Sequence, residues 1–120
     1  MKKCVNKILL LIILTFFISC SSDSQIDLMQ VVEVDNYKII AFSKNVNATA
    51  DYSVNISIID KDKKITNRDK GNIFIAKGLK NIYLTVQNNN IVITHSYLDK
   101  DVFYKNDSCY GFKIIYEIEQ

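Results

Sequence analysis

Proline and tryptophan are absent from this chain of 120 residues, glycine and cysteine occur three times each, and histidine occurs once. Each scarcity removes a class of chemistry. The glycines at 71, 78 and 111 stand apart, so no glycine-rich loop can cradle a phosphate group. One His and so few Cys give no clustered ligand spacing for zinc. Asp99-Lys100-Asp101 spaces two carboxylates as a calcium loop does, but lacks the Gly and the distal Glu that complete one; a turn between strands accounts for it. There is also no surplus of charge. The formal net charge of +2 comes from 15 Lys and Arg against 13 Asp and Glu. Three of those cations, Lys2, Lys3 and Lys7, lie in residues 1–19, which hold no acid, so the remainder carries 12 basic against 13 acidic groups. Lys61-Asp62-Lys63-Lys64 and Arg68-Asp69-Lys70 interleave their cations with Asp, which cancels the field that would track a phosphate backbone. Nucleic acid is therefore not an expected partner, and no metal or other cofactor is expected.

What is present at the start of the chain is a targeting pattern. A basic stretch over residues 2–7 precedes an eleven-residue apolar run at 8–18. That run is too short to cross a bilayer as a helix, which takes about 20 residues, and has the length of a signal-peptide core. Phe17-Ile18-Ser19-Cys20 resembles a lipobox, with a small residue before the Cys and Phe17 where such signals usually carry Leu. The resemblance implies cleavage between Ser19 and Cys20 and lipidation of Cys20. The expected organisation is a signal peptide at 1–19 with a helical core, a lipidated Cys and polar tether at 20–26, and a domain at 27–120. Each acyl methylene buried in a membrane contributes about 0.8 kcal/mol, so several chains on one Cys give stable attachment. Cys4 leaves with the signal, and Cys109 is left without an intramolecular partner. It reads as a half-buried strand residue, with an intermolecular disulfide or reactive thiol as the alternative.

From about residue 26 the pattern has period two. Tyr52, Val54, Ile56 and Ile58 share one face of a strand and Ser53, Asn55 and Ser57 the other, as in a half-buried antiparallel strand with a solvated polar face. Residues 28–34 and 37–43 flank Asp35-Asn36, and residues 82–87 and 91–94 flank Asn88-Asn89-Asn90; both read as hairpins. Residues 102–105 and 110–118 flank Asn106-Asp107-Ser108 in the same manner, and residues 71–78 supply a short strand bounded by glycines. No sustained 3.6-residue stripe occurs. These features predict an all-β fold, a small antiparallel β-sandwich or strongly bent sheet of about seven or eight strands. Residues 60–72 are charged, lack an apolar pattern and read as a mobile surface loop. His95 is expected at the exposed end of its strand, and no local signature joins it to Cys109 as a catalytic pair.

Asn47-Ala48-Thr49 leading into the strand at 52–58, then Gly71-Asn72-Ile73-Phe74-Ile75-Ala76, then Lys113-Ile114-Ile115-Tyr116, together resemble a family of small bacterial secreted proteins and lipoproteins. That family carries a Cys-Gly-Ala-Thr-Thr stretch and a Gly-Asn-x-Phe-x-Ala element; here Val46 and Asn47 replace its Cys and Gly. The resemblance covers residues 35–118 and implies no activity. The functional expectation is a non-enzymatic lipoprotein held at the membrane through lipid on Cys20. Its domain would bind a protein or other envelope component, as immunity or inhibitor proteins do. A structural envelope lipoprotein without a ligand is the alternative, and a Cys/His hydrolase the third. The favoured contact loop is 45–51, with Asn45, Asn47, Thr49 and Asp51, because it enters the most regular strand; 60–72 is the second candidate.

Overall fold

A computed structural model describes residues 25–45 and 52–119. Ser19, Cys20, the signal segment and its predicted helix, and Asn47, Thr49 and Asp51 lie outside the described residues. The fold is all-β. Its strands are β1 (Gln25–Val34), β2 (Tyr37–Asn45), β3 (Tyr52–Asp60), β4 (Phe74–Lys77), β5 (Ile82–Gln87), β6 (Asn90–His95), β7 (Val102–Lys105), β8 (Ser108–Cys109) and β9 (Phe112–Ile118). A single 3-10 turn at Asp99–Asp101 fills the place where the two spaced carboxylates stood. Five strands form one sheet in the order β1-β2-β3-β4-β7, and four form the other in the order β5-β6-β9-β8.

Two hairpins follow directly from their turn residues. Asp35 and Asn88 adopt φ of 53° and 57°, the left-handed region that short Asx side chains tolerate, and close the β1–β2 and β5–β6 pairs with Val34 opposite Tyr37 and Gln87 opposite Asn90. The third expected hairpin does not form. β7 pairs with β4 in the first sheet, whereas β9 lies in the second, parallel to β6, so that sheet is mixed. Between them the chain changes sheets at Asn106 and Asp107, and a tight turn at Tyr110-Gly111, with φ of 51° and 85°, folds β8 onto the start of β9. The short β8 is an element that alternation over so few residues could not announce.

The core lies between the sheets, where Ile39, Val54, Ile56, Ile58 and Phe74 meet Ile82, Leu84, Ile91, Ile93 and Ile114. Fully burying each such side chain contributes about 1.5–3 kcal/mol. The polar face of β3 is a correction to the sequence reading: Asn55 and Ser57 are 2% exposed, not solvated. Residues 61–72 pass over them, and the end of that segment, 70–72, is bonded to β3. The Asp69 carboxylate accepts from Thr66 N–H at 2.7 Å, Gly71 N–H donates to Asn55 Oδ1 at 2.9 Å, and Ser57 Oγ donates to Lys70 C=O and accepts from Asn72 N–H, each at 3.1 Å. A Cβ on Gly71 would stand 2.3 Å from Phe74 O, so only glycine permits this approach to β3.

Two side-chain amides act as substitute strand residues. Asn72 accepts from Ile58 N–H at 2.8 Å and donates to Ile58 C=O at 2.7 Å, continuing the sheet where backbone pairing has stopped. Gln30, at the register shift in β1, does the same across the sandwich: it donates to Leu84 C=O at 2.8 Å and accepts from Leu84 N–H at 2.9 Å. The β1–β5 side of the sandwich is thereby stapled at Leu84, whose two edge groups are satisfied.

A groove on the open side of the sandwich

On the opposite side the Tyr116 hydroxyl, rather than an amide paired with an edge strand, links the two sheets. β7 runs along the first sheet and parts from β9, and a groove of about 320 Å³ opens between them. Its walls are Val102, Phe103, Tyr104 and Lys105 of β7 and Tyr116 and Ile118 of β9, with His95 and Asp99 completing the lining. Phe103 is 64% and Ile118 66% exposed, so the mouth is apolar and solvated. Among the described residues no strand pairs with this part of the β9 edge. Lys113 and Glu119 direct their N–H groups to Asn89 and His95 on the β6 side, while Ile114 N–H points the other way, to Asp107 C=O. The two-residue period of a strand puts the backbone groups of Tyr116 and Ile118 on the same side as Ile114. There they face away from β6, beyond the reach of β8, which pairs only with Phe112 and Lys113.

The wall is fixed by Tyr116. Its hydroxyl lies 2.6 Å from Asn106 C=O and 3.1 Å from Ile73 C=O, holding the strand crossing against the first sheet, and burial pushes its pKa up to about 12. Lys105 Nζ sits 4.5 Å from the centroid of the same ring, a cation–π contact. His95 is 4% exposed rather than exposed as expected, because the chain folds back over it and its ring packs 5.2 Å from that of Phe74. Its Nδ1 accepts from Tyr97 N–H at 3.0 Å, which places the proton of the neutral imidazole on Nε2. Burial lowers its pKa, as does Lys105, while Asp99 opposes them weakly. The groove therefore offers apolar surface, one cation, one carboxylate and free backbone groups, but no activated nucleophile.

The structure separates His95 from Cys109. His95 stands beside Ile118 and Cys109 beside Phe112, at opposite ends of β9 and about 20 Å apart at the rise of a strand. Cys109 is half-buried, and desolvation raises its thiol pKa. No group of three His, Cys, Asp or Glu side chains suited to a metal occurs among the described residues. Of the expected contact loop only Asn45 is described: it ends β2, and its Oδ1 is buried without a hydrogen-bond partner among the described residues. Of the groove residues the sequence singles out only His95 and Asp99, and for other chemistry; Phe103 and Tyr104 look there like any alternating strand, and only the parting of β7 from β9 exposes them together. No protein-family model matches this chain, no curated protein is significantly similar to it, and no solved structure matches it.

Proposed function

We propose that the chain is a lipid-anchored bacterial envelope protein whose β domain binds a macromolecular partner, as immunity and inhibitor proteins do, rather than catalysing a reaction. The observation that carries the anchor is the placement of Ser19-Cys20 directly after a basic stretch and an apolar run too short to span a membrane, with the polar tether Ser21-Ser22-Asp23-Ser24 behind it. The binding role is supported by the groove. Exposed Phe103 and Ile118 beside unpaired β9 backbone groups are what an extended peptide needs to add itself as a strand: main-chain hydrogen bonds supply affinity and apolar pockets supply selection.

The anchor is tested by Cys20→Ala in cells fed labelled fatty acid: label and detergent-phase partitioning should both disappear, and their persistence would refute lipidation. For the groove, photoreactive side chains at Phe103 and Ile118 should capture a discrete partner. The same probe at Tyr83, which is 52% exposed on β5, should not. Equal capture from Tyr83 would remove the groove from the proposal.

A further inference from the structure

We propose that the end of the domain where β1 begins rests on the bilayer surface, with Leu79 and Leu98 as its contacts; this depends on lipidation of Cys20. Only residues 21–24 separate Cys20 from the first residue of β1. Even fully extended, that linker lets the anchor stand no more than about 18 Å from Gln25, whereas β1 itself, at ten residues, is about 33 Å long. The near end of the sandwich is therefore held close to the lipid, and the far end, with Asp35 and Tyr110, is not.

Strand register identifies what the near end presents. Gln25 pairs with Asn45, and Asn45 with Tyr52. Tyr52 C=O accepts from Gly78 N–H at 2.8 Å, which brings the turn after β4 to this end. That turn is fastened to the chain following β6 by Tyr97: its buried hydroxyl donates to Gly78 C=O at 2.6 Å and accepts from Lys80 N–H at 3.0 Å. Two loops are thus joined into one rigid tip, and each carries an unpacked leucine, Leu79 at 58% and Leu98 at 57% exposure. Lys77 and Lys80 bracket Leu79, and no acidic residue occurs anywhere in 71–98. Leu98 is followed by Asp99-Lys100-Asp101, and Glu119 lines the same hollow as Leu79 and Lys80, so the cationic character of the tip is confined to Lys77 and Lys80 beside Leu79. An apolar residue flanked by lysines suits the boundary between acyl chains and phosphate headgroups, the Leu entering and the ammonium groups staying at the phosphates.

The chain has no Trp, so a single introduced indole reports one position alone. Full-length lipidated protein carrying Leu79→Trp, Leu98→Trp, Leu28→Trp or Tyr110→Trp would be reconstituted into vesicles of phosphatidylethanolamine with a minority of phosphatidylglycerol, with and without brominated lipid. All four positions are well exposed, so the substitutions should leave the fold intact. The expected result is a blue-shifted emission, quenched by bromine, at positions 79 and 98 only. Quenching at position 28 in their place would mean that the domain lies on its first sheet, and would overturn the proposal. So would a blue shift at 79 and 98 without quenching, since protein rather than lipid would then cover them. Unshifted emission at 79 and 98 from protein that floats with vesicles refutes the orientation but leaves the anchor standing. Failure of the full-length protein to float at all refutes the anchor and the orientation with it.

Discussion

Single polar side chains close the gaps that this small sandwich leaves in its backbone pairing. Asn72 satisfies both backbone groups of Ile58, so Asn72→Ala would strand a donor and an acceptor in a half-buried position. A loss of about 2–4 kcal/mol in chemical denaturation is expected, since each unsatisfied buried group costs about 1–3 kcal/mol. Asn55→Ala should cost about 1–3 kcal/mol, because Gly71 N–H loses its acceptor under the covering segment. Thr85→Ala, at an exposed position of β5, should stay within about 0.5 kcal/mol. If Asn55 and Thr85 gave equal losses, the covering of β3 by residues 61–72 would be wrong. Gly71→Ala belongs with the costly set: a methyl group 2.3 Å from a carbonyl oxygen must displace backbone, and overpacking of this kind costs about 1–3 kcal/mol.

At the scale of elements, the end of β6 and the turn after it hold a titratable group in its neutral form. His95 has a pKa below its ordinary value of 6.5, chiefly through burial. The unfolded chain then binds more protons than the folded one as pH falls through 6.5, so the stability that neutral His95 contributes is present above that pH and is lost below it. The melting temperature of the wild-type protein should therefore fall between pH 7 and pH 5 more steeply than that of His95→Gln, which cannot titrate there. Equal slopes would show that the imidazole is not held neutral. Tyr116→Phe at the neighbouring strand removes the hydroxyl bound to Asn106 and Ile73. It should cost about 1–3 kcal/mol and loosen β7 against β9, weakening any partner captured at Phe103.

For the whole molecule, the parallel pairing of β6 with β9, Ile91 opposite Ile114, joins residues far apart in sequence, and the first sheet reaches from β4 to β7 across the second. Loop closure must precede the reward of those contacts, so folding should take milliseconds to seconds. With no Pro in the chain, refolding from denaturant should lack the phase of tens of seconds that peptide-bond isomerisation produces. Stopped-flow tyrosine fluorescence would check this, and a slow phase accelerated by a prolyl isomerase would contradict it.

The sequence by itself determined the all-β character, the inward residues of β3, and two of the hairpins. Those properties are local: alternation assigns side chains to faces, and Asp35 and Asn88 reverse the chain within two residues of where they stand. Tertiary structure alone decided what lies against each face. Nothing in Ser53-Val54-Asn55-Ile56-Ser57 says that a charged segment will fold over its polar side, because the bonds that bury Asn55 and Ser57 go to backbone groups 13–16 residues away. It also decided that β7 joins β4 and not β9. A strand with one apolar face can pair at either sheet, and the choice was made by Asn106 N–H bonding to Ile73 C=O and by Tyr116 fixing the crossing. The groove exists because of that choice, which is why no pattern of residues along the chain could mark it.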